Sequence, residues 1–252
     1  MRLTISRAPE FGAIALSRRR VVGSACCLAC ESMVIWPTKS LAQSASTKSG
    51  EQSCIRLGTN TLALRKTTGN RDGDVALDQA LKKIADKFGV SPQFGFYTEA
   101  GNPSAYVQLS TGSEGLVAVE ENYFRKVMEY DASGVSFLAV VAHLFGHIVQ
   151  QKSGKFIEIW GNLPFPRRVE LHADYLAGFF LGSSRRKGDP GSFQASGDKF
   201  KQIGTYDPRN ITYFGTASER AGALQQGFNA GYSEDRDIQF AVRAGVDYVV
   251  TR

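Results

Sequence analysis

Two histidines spaced one helical turn apart are the residues of this chain best suited to chemistry. His143 and His147 lie in FLAVVAHLFGHIVQQ, an apolar run that predicts a buried helix. Residues four apart share one helix face, so two neutral imidazoles at this spacing can bind one tetrahedral Zn²⁺. Each buried polar group left unsatisfied costs about 1 to 3 kcal/mol, so both rings need partners. The spacing predicts either a metal site or two hydrogen-bonded core histidines.

A second motif, ELHADYLAG, supplies carboxylates on the next long helix. Glu170 and Asp174 are also four residues apart, so Glu170 can be a third ligand while Asp174 accepts the N–H of a ligating imidazole. His172 offers a three-histidine site instead. Two residues of helix turn by about 200°, so only one of Glu170 and His172 can face the metal. We predict Glu170 as the ligand, because it shares a face with Asp174, and His172 as a surface residue.

Together the two motifs resemble those of the bacterial neutral zinc metallopeptidases of the gluzincin clan. That family has Ala-His-Glu-x-Gly-His followed by Glu-Leu-x-Ala-Asp-x-x-Ala-Gly. The similarity covers residues 75–232 and includes FGTASERAGALQQGF, which is similar to the family's closing His-Gly-Thr-x-x-x-Arg segment. It implies a zincin-like fold, Zn²⁺ bound by His143, His147 and Glu170, Asp174 orienting a histidine, and a peptide or protein as substrate or ligand.

The chain departs from this family at the residues responsible for catalysis. Leu144 stands where HExxH has the glutamate that takes a proton from the zinc-bound water, a role worth about 10² to 10⁴ in rate. Phe214 replaces the histidine of the closing motif, and Tyr213 is a candidate hydroxyl donor to the oxyanion. Glu120 and Glu121 are candidates for a substitute base.

These departures predict a zinc-binding, metallopeptidase-like protein that is catalytically impaired and still binds an extended peptide along a strand edge. Two alternatives stay open. One is an active zinc metallopeptidase that uses another base. The other is a metal-free structural or interaction protein, in which Glu170 and Asp174 satisfy the histidines directly.

The elements that position these residues are predicted to form a helix-rich α+β domain. A first helix, ended by Gly89, has apolar residues on one stripe: Leu77, Leu81, Ile84 and Phe88. The runs QFGFYT, AYVQLS and GLVAVE predict about three short strands beside the metal-binding helix. That helix is predicted between Ser133 and Gly154, and further helices cover ENYFRKVMEY, RRVELHADYLAGFFLG, TASERAGALQQGFNAG and DIQFAVRAGVDYVV.

The first 42 residues read as an export signal. The run SRRRVV, with Arg18 and Arg19, resembles the twin-arginine motif; a mildly apolar stretch and the small-residue site Ser40-Leu41-Ala42 follow. We predict a signal peptide over 1–42, a polar linker and N-terminal extension over 43–70, and the zincin-like domain over 71–252. A retained anchor is the alternative, although the apolar run is short for a membrane span and contains Glu31.

The charge of the chain argues against a nucleic-acid partner, and its cysteine content argues against an internal disulfide. Of the formal charge of +6, the first 42 residues account for six Lys/Arg and two Asp/Glu, which leaves only +2 on the rest of the chain. No basic cluster with interleaved aromatics indicates nucleic acid. After signal removal only Cys54 remains of the four cysteines, so an internal disulfide is impossible.

Overall fold

A small mixed sheet and a long apolar helix form the framework of the domain. The computed structural model describes residues 54–57, 63–98, 104–110, 114–161, 166–188, 197–198 and 214–252. The predicted signal peptide, the linker up to residue 53 and Tyr213 lie outside these residues. The described elements are β1 (Ile55–Leu57), α1 (Arg71–Phe88), β2 (Gln93–Tyr97), β3 (Ala105–Leu109), β4 (Leu116–Glu120), α2 (Glu121–Tyr130), α3 (Val135–Lys152), α4 (Phe156–Trp160), α5 (Arg167–Arg186), α6 (Ala217–Ser233) and α7 (Ile238–Val250).

The sheet has four strands in the order β1-β3-β4-β2. β3 and β4 pair antiparallel, while β1 joins β3 and β2 joins β4 in parallel. The three strands predicted from alternating runs are confirmed. β1 is an additional strand from the segment predicted as linker and N-terminal extension, and it forms one edge of the sheet.

Helix boundaries follow local capping chemistry. The side chain of Asn70 accepts from the first turn of α1, and Gly89 ends that helix in the left-handed conformation (φ 65°), as predicted. α6 begins with the predicted capping box, in which Thr216 and Glu219 satisfy each other's backbone amides. The predicted start of α3 at Ser133 was wrong, because the N-cap is Gly134 and the amide of Ser136 donates to Asp131 instead.

Helix α3 is buried along almost its whole length, as its apolar sequence predicts. It contacts β3 and β4 on the sheet side and α1, α2 and α5 among the helices. The main core includes Ile84, Phe96, Val117, Phe145 and Phe180. These findings confirm a helix-rich α+β fold with a sheet beside the histidine helix. Within the described ranges, no helix is long and apolar enough to cross a membrane.

Glycines bring α5 and α6 into close contact. Gly178 and Gly182 on α5 face the backbone of α6, and Gly227 and Gly231 on α6 face the backbone of α5. A Cβ at any of these four positions would overlap a carbonyl oxygen of the opposite helix. This close contact places Arg220 of α6 next to Glu170 and Asp174 of α5.

Candidate metal centre

The histidine pair lies where α3 packs closely on α5. Gly146 permits this approach, since a Cβ there would already be 3.2 Å from the Cα of Ala173 on α5. The rings of His143 and His147 have centroids 4.7 Å apart and planes at 85°. Their Nε2 atoms are 3.1 Å apart, so both nitrogens face the same small space.

Helix α5 brings the carboxylate of Glu170 to that space. Oε2 of Glu170 is 3.3 Å from Nε2 of His143, and Oε1 is 3.7 Å from Nε2 of His147. All three side chains are buried, with at most 4% of any residue exposed. The structure therefore brings together the three residues predicted as metal ligands.

A fourth donor atom comes from Cys54, immediately before β1. Its Sγ is 3.0 Å from Nε2 of His147, 3.6 Å from Nε2 of His143, and 3.0 and 3.2 Å from the two oxygens of Glu170. Our sequence reasoning missed this residue. The available signal was that Cys54 is the one cysteine after the predicted signal peptide.

The four side chains are close enough to bind one metal ion together. A Zn²⁺ ion with bonds of about 2.0 to 2.1 Å to nitrogen or oxygen and about 2.3 Å to sulfur separates neighbouring ligand atoms by about 3.3 to 3.6 Å. The separations are 3.0 to 3.7 Å when the nearer oxygen of Glu170 is taken for each partner, and one donor atom from each residue lies within 4.8 Å of the others. Cys54, His143, His147 and Glu170 thus form a group that can hold a metal ion.

Asp174 and Arg220 orient His143. Nδ1 of His143 lies 2.8 Å from Oδ1 of Asp174. Arg220 donates to the same carboxylate through Nε (2.5 Å to Oδ2) and Nη2 (2.7 Å to Oδ1), so Asp174 is an acceptor only. Nδ1 is thus the ring nitrogen of His143 beside Asp174, and Nε2 is the one beside the cluster. Asp174 therefore lies behind His143 as seen from the cluster, while its predicted role in supporting a metal ligand stays a prediction.

Gln150 and His172 orient His147. Nε2 of Gln150 donates to the carbonyl of Val169 (2.7 Å) and faces Nδ1 of His172 (3.1 Å). Its oxygen is then free to accept from Nδ1 of His147 at 2.9 Å. His172 in turn donates from Nε2 to the carbonyl of Val242 at 3.1 Å.

The predicted surface position of His172 was wrong. The residue has no exposed area, and burial lowers its pKa to about 4, so it stays neutral. Its side chain belongs to the outer hydrogen-bond network and not to the group of donor atoms. Two residues along a helix point to nearly opposite sides. Glu170 therefore faces the histidines, and His172 faces α7.

The centre stabilises positive charge. Burial raises the pKa of the Glu170 carboxyl, but the two histidines more than offset this and hold it well below its usual value. Burial lowers the pKa of His143, whereas its contacts with Asp174 and Glu170 produce a net rise. Burial and the nearby Glu170 raise the pKa of the Cys54 thiol. Two further groups compensate the carboxylate of Glu170: the Cys54 thiol donates to Oε1 at 3.0 Å, and Nη2 of Arg220 lies 3.8 Å from Oε2.

The described residues that were considered for catalysis have structural roles. Leu144 is 1% exposed and packs in the main core. Phe214 is also buried. Glu120 is buried and caps α2 by accepting from the amide of Tyr123 at 2.8 Å. Glu121 pairs with Arg65 and accepts from Thr98.

Comparisons with known proteins give no assignment. No protein-family model, curated protein or solved structure matches this chain.

Proposed function

We propose that this is an exported, zinc-binding, metallopeptidase-like protein whose peptide-hydrolysing centre is disabled. The observation that supports it best is the convergence of donor atoms from His143, His147 and Glu170. Both imidazoles have Nδ1 engaged by an acceptor, which directs the lone pair of Nε2 inward. This arrangement, a histidine ligand fixed by a carboxylate or amide behind it, is typical of zinc sites.

Zinc fits the donor set better than the other common divalent ions. Mg²⁺ and Ca²⁺ prefer six or more oxygen ligands, whereas this cluster offers two imidazole nitrogens, one carboxylate and one sulfur. Nitrogen and sulfur donors in a tetrahedral arrangement are the usual environment of Zn²⁺. When bound, Zn²⁺ at such a site can polarise a carbonyl group and activate water.

The two motif positions that would use this chemistry carry apolar residues. Leu144 cannot accept a proton, and Phe214 cannot donate a hydrogen bond to an oxyanion. The two candidate replacement bases have other partners, since Glu120 caps α2 and Glu121 pairs with Arg65. We therefore expect zinc binding without efficient peptide hydrolysis.

Export is part of the proposal and rests on the N-terminal sequence. Replacing both Arg18 and Arg19 by lysine should leave an uncleaved precursor in the cytoplasm, as measured by fractionation and immunoblotting. Normal processing of this variant would show that the arginine pair is not an export signal.

Substitutions of the ligands test the function. In the purified mature protein, Glu170→Gln and His147→Ala should each weaken zinc binding by at least about 10² in a competition titration with a chromophoric chelator, because each removes one ligand. His172→Ala is the matched control, since it removes a buried histidine outside the donor group. It should still bind one zinc, at reduced thermal stability.

Three outcomes separate the alternatives. Unchanged zinc affinity in Glu170→Gln and His147→Ala would contradict the site. Failure of the wild-type chain to bind zinc would favour the metal-free protein. Robust, chelator-sensitive peptide hydrolysis by the wild-type chain would favour an active enzyme with another base.

A further inference from the structure

The segment that contains Cys54 forms one edge of the sheet. The carbonyl of Cys54 accepts from the amide of Val107 at 2.7 Å, and β1 continues along β3 in parallel register from Ile55 to Leu57. β3 is also one of the strands that contact the histidine helix α3. The edge of β3 beside the centre is therefore covered by the chain itself.

We propose that Cys54–Leu57 is a built-in plug of the zinc centre, in which the thiolate of Cys54 is the fourth ligand and β1 occupies the edge that an extended peptide would pair with. This inference rests on the zinc site proposed above. On binding, the thiol loses its proton to solvent and a zinc–sulfur bond forms in place of a zinc–water bond. Neither sulfur nor zinc changes its oxidation state.

Coordination number distinguishes an open zinc site from a closed one. Catalytic zinc sites keep one position open for water, while sites with four protein ligands are closed. A metal ion bound by the other three residues would have Sγ of Cys54 as its fourth ligand, because Sγ lies within 3.0 to 3.6 Å of a donor atom of each. Water and substrate cannot reach the metal until the thiolate leaves.

The position of β1 also closes the edge of β3. An extended peptide binds a sheet by adding a strand to a free edge through main-chain hydrogen bonds. At β3 those bonds are made with β1. β1 has three residues, whereas each other strand of the described sheet has five. A competing peptide would therefore have to displace a short strand that is held by its pairing with β3 and by the packing of Ile55 against the core.

Cobalt substitution with a zinc-directed probe tests the plug. Wild-type protein loaded with Co²⁺ should show an intense near-ultraviolet thiolate-to-cobalt band, and acetohydroxamic acid should leave its visible spectrum unchanged. Cys54→Ser and Cys54→Ala should still bind one Co²⁺, lack that band, and change spectrum on addition of the hydroxamate. Arg56→Ala is the matched control, since it alters β1 but keeps the thiol, and it should retain the band.

The results that would overturn the plug are distinct from those that would overturn the zinc site. One bound Co²⁺ without a thiolate band in the wild type removes Cys54 as a ligand and leaves the zinc proposal intact. A wild-type spectrum that responds to hydroxamate as readily as Cys54→Ser shows that the site is open. Absence of any bound metal overturns both proposals.

Discussion

Each histidine at the centre is oriented by a different kind of partner. Behind His143 stands a carboxylate, Asp174, which the buried guanidinium of Arg220 holds in place. Behind His147 stands a neutral amide, Gln150, which is fixed by donating to Val169 and contacting His172. Both arrangements direct Nε2 into the cluster, and the carboxylate raises the pKa of His143.

Gln150 provides a prediction at this scale. Gln150→Leu removes the acceptor for Nδ1 of His147 and leaves His172 and the Val169 carbonyl without their partner. We expect zinc affinity to fall about 10- to 100-fold, as for other partners of ligating histidines, with a loss of stability of about 1 to 3 kcal/mol. Competition titration and thermal melts measure the two effects.

The same substitution at the next residue is the control. Gln151→Leu lies outside the described hydrogen bonds of the centre and should leave zinc affinity unchanged. Wild-type affinity in Gln150→Leu would show that the amide does not support the site.

The sequence predicts those site residues that lie close together along one helix. His143 and His147, and likewise Glu170 and Asp174, share a face because of helix geometry alone. Cys54 is 89 residues from His143 and 116 from Glu170, so only the folded sheet brings it to the centre. Gln150 has no distinguishing spacing. Arg220 is the arginine of the closing Gly-Thr-x-x-x-Arg segment, but its contact with Asp174 depends on how α6 packs against α5.

At the scale of elements, the contact between α5 and α6 positions the carboxylates. The four glycines of this contact let the two backbones meet, and Arg220 reaches Asp174 as a result. α3 approaches α5 in a similar way through Gly146. Small residues at these helix contacts therefore set the distance between the two halves of the site.

Gly227→Ala tests this contact. A methyl group there would overlap the carbonyl oxygen of Tyr175, and because the obstacle is backbone, the helices must separate. We expect a loss of about 3 kcal/mol or more in the free energy of unfolding, at or above the usual cost of overpacking. Denaturant unfolding followed by circular dichroism measures it.

Gly222→Ala is the control on the same helix. Its Cβ would meet only the hydroxyl of Tyr248 at 3.5 Å, an ordinary contact, so the helix should keep its stability or gain up to about 1 kcal/mol. Equal effects of the two substitutions would contradict the account of close helix packing.

Most elements are predictable from sequence because their signals are strong and continuous. The stripe on α1, the all-apolar α3 and the capping box of α6 each identify a helix. β1 is missed because three residues next to a polar stretch give no periodicity. α4 is missed because five residues are too short for a helical pattern.

At the scale of the whole molecule, the centre connects distant parts of the chain. Cys54 just before β1, two histidines of α3 and Glu170 of α5 supply the donor atoms, and α6 contributes Arg220 to the support of Asp174. No unfolded chain presents these groups together, so a metal ion bound at the centre would stabilise the fold. A ligand present at a thousand times its Kd adds about 4 kcal/mol.

The central claim is that the folded chain holds one zinc ion, and comparing native with denaturing mass spectrometry tests it most directly. After reconstitution with zinc and removal of excess metal, the native mass should exceed the denatured mass by one zinc ion, less the protons released on binding. The excess should disappear after treatment with a strong chelator. Equal native and denatured masses of the reconstituted wild-type protein would contradict the account.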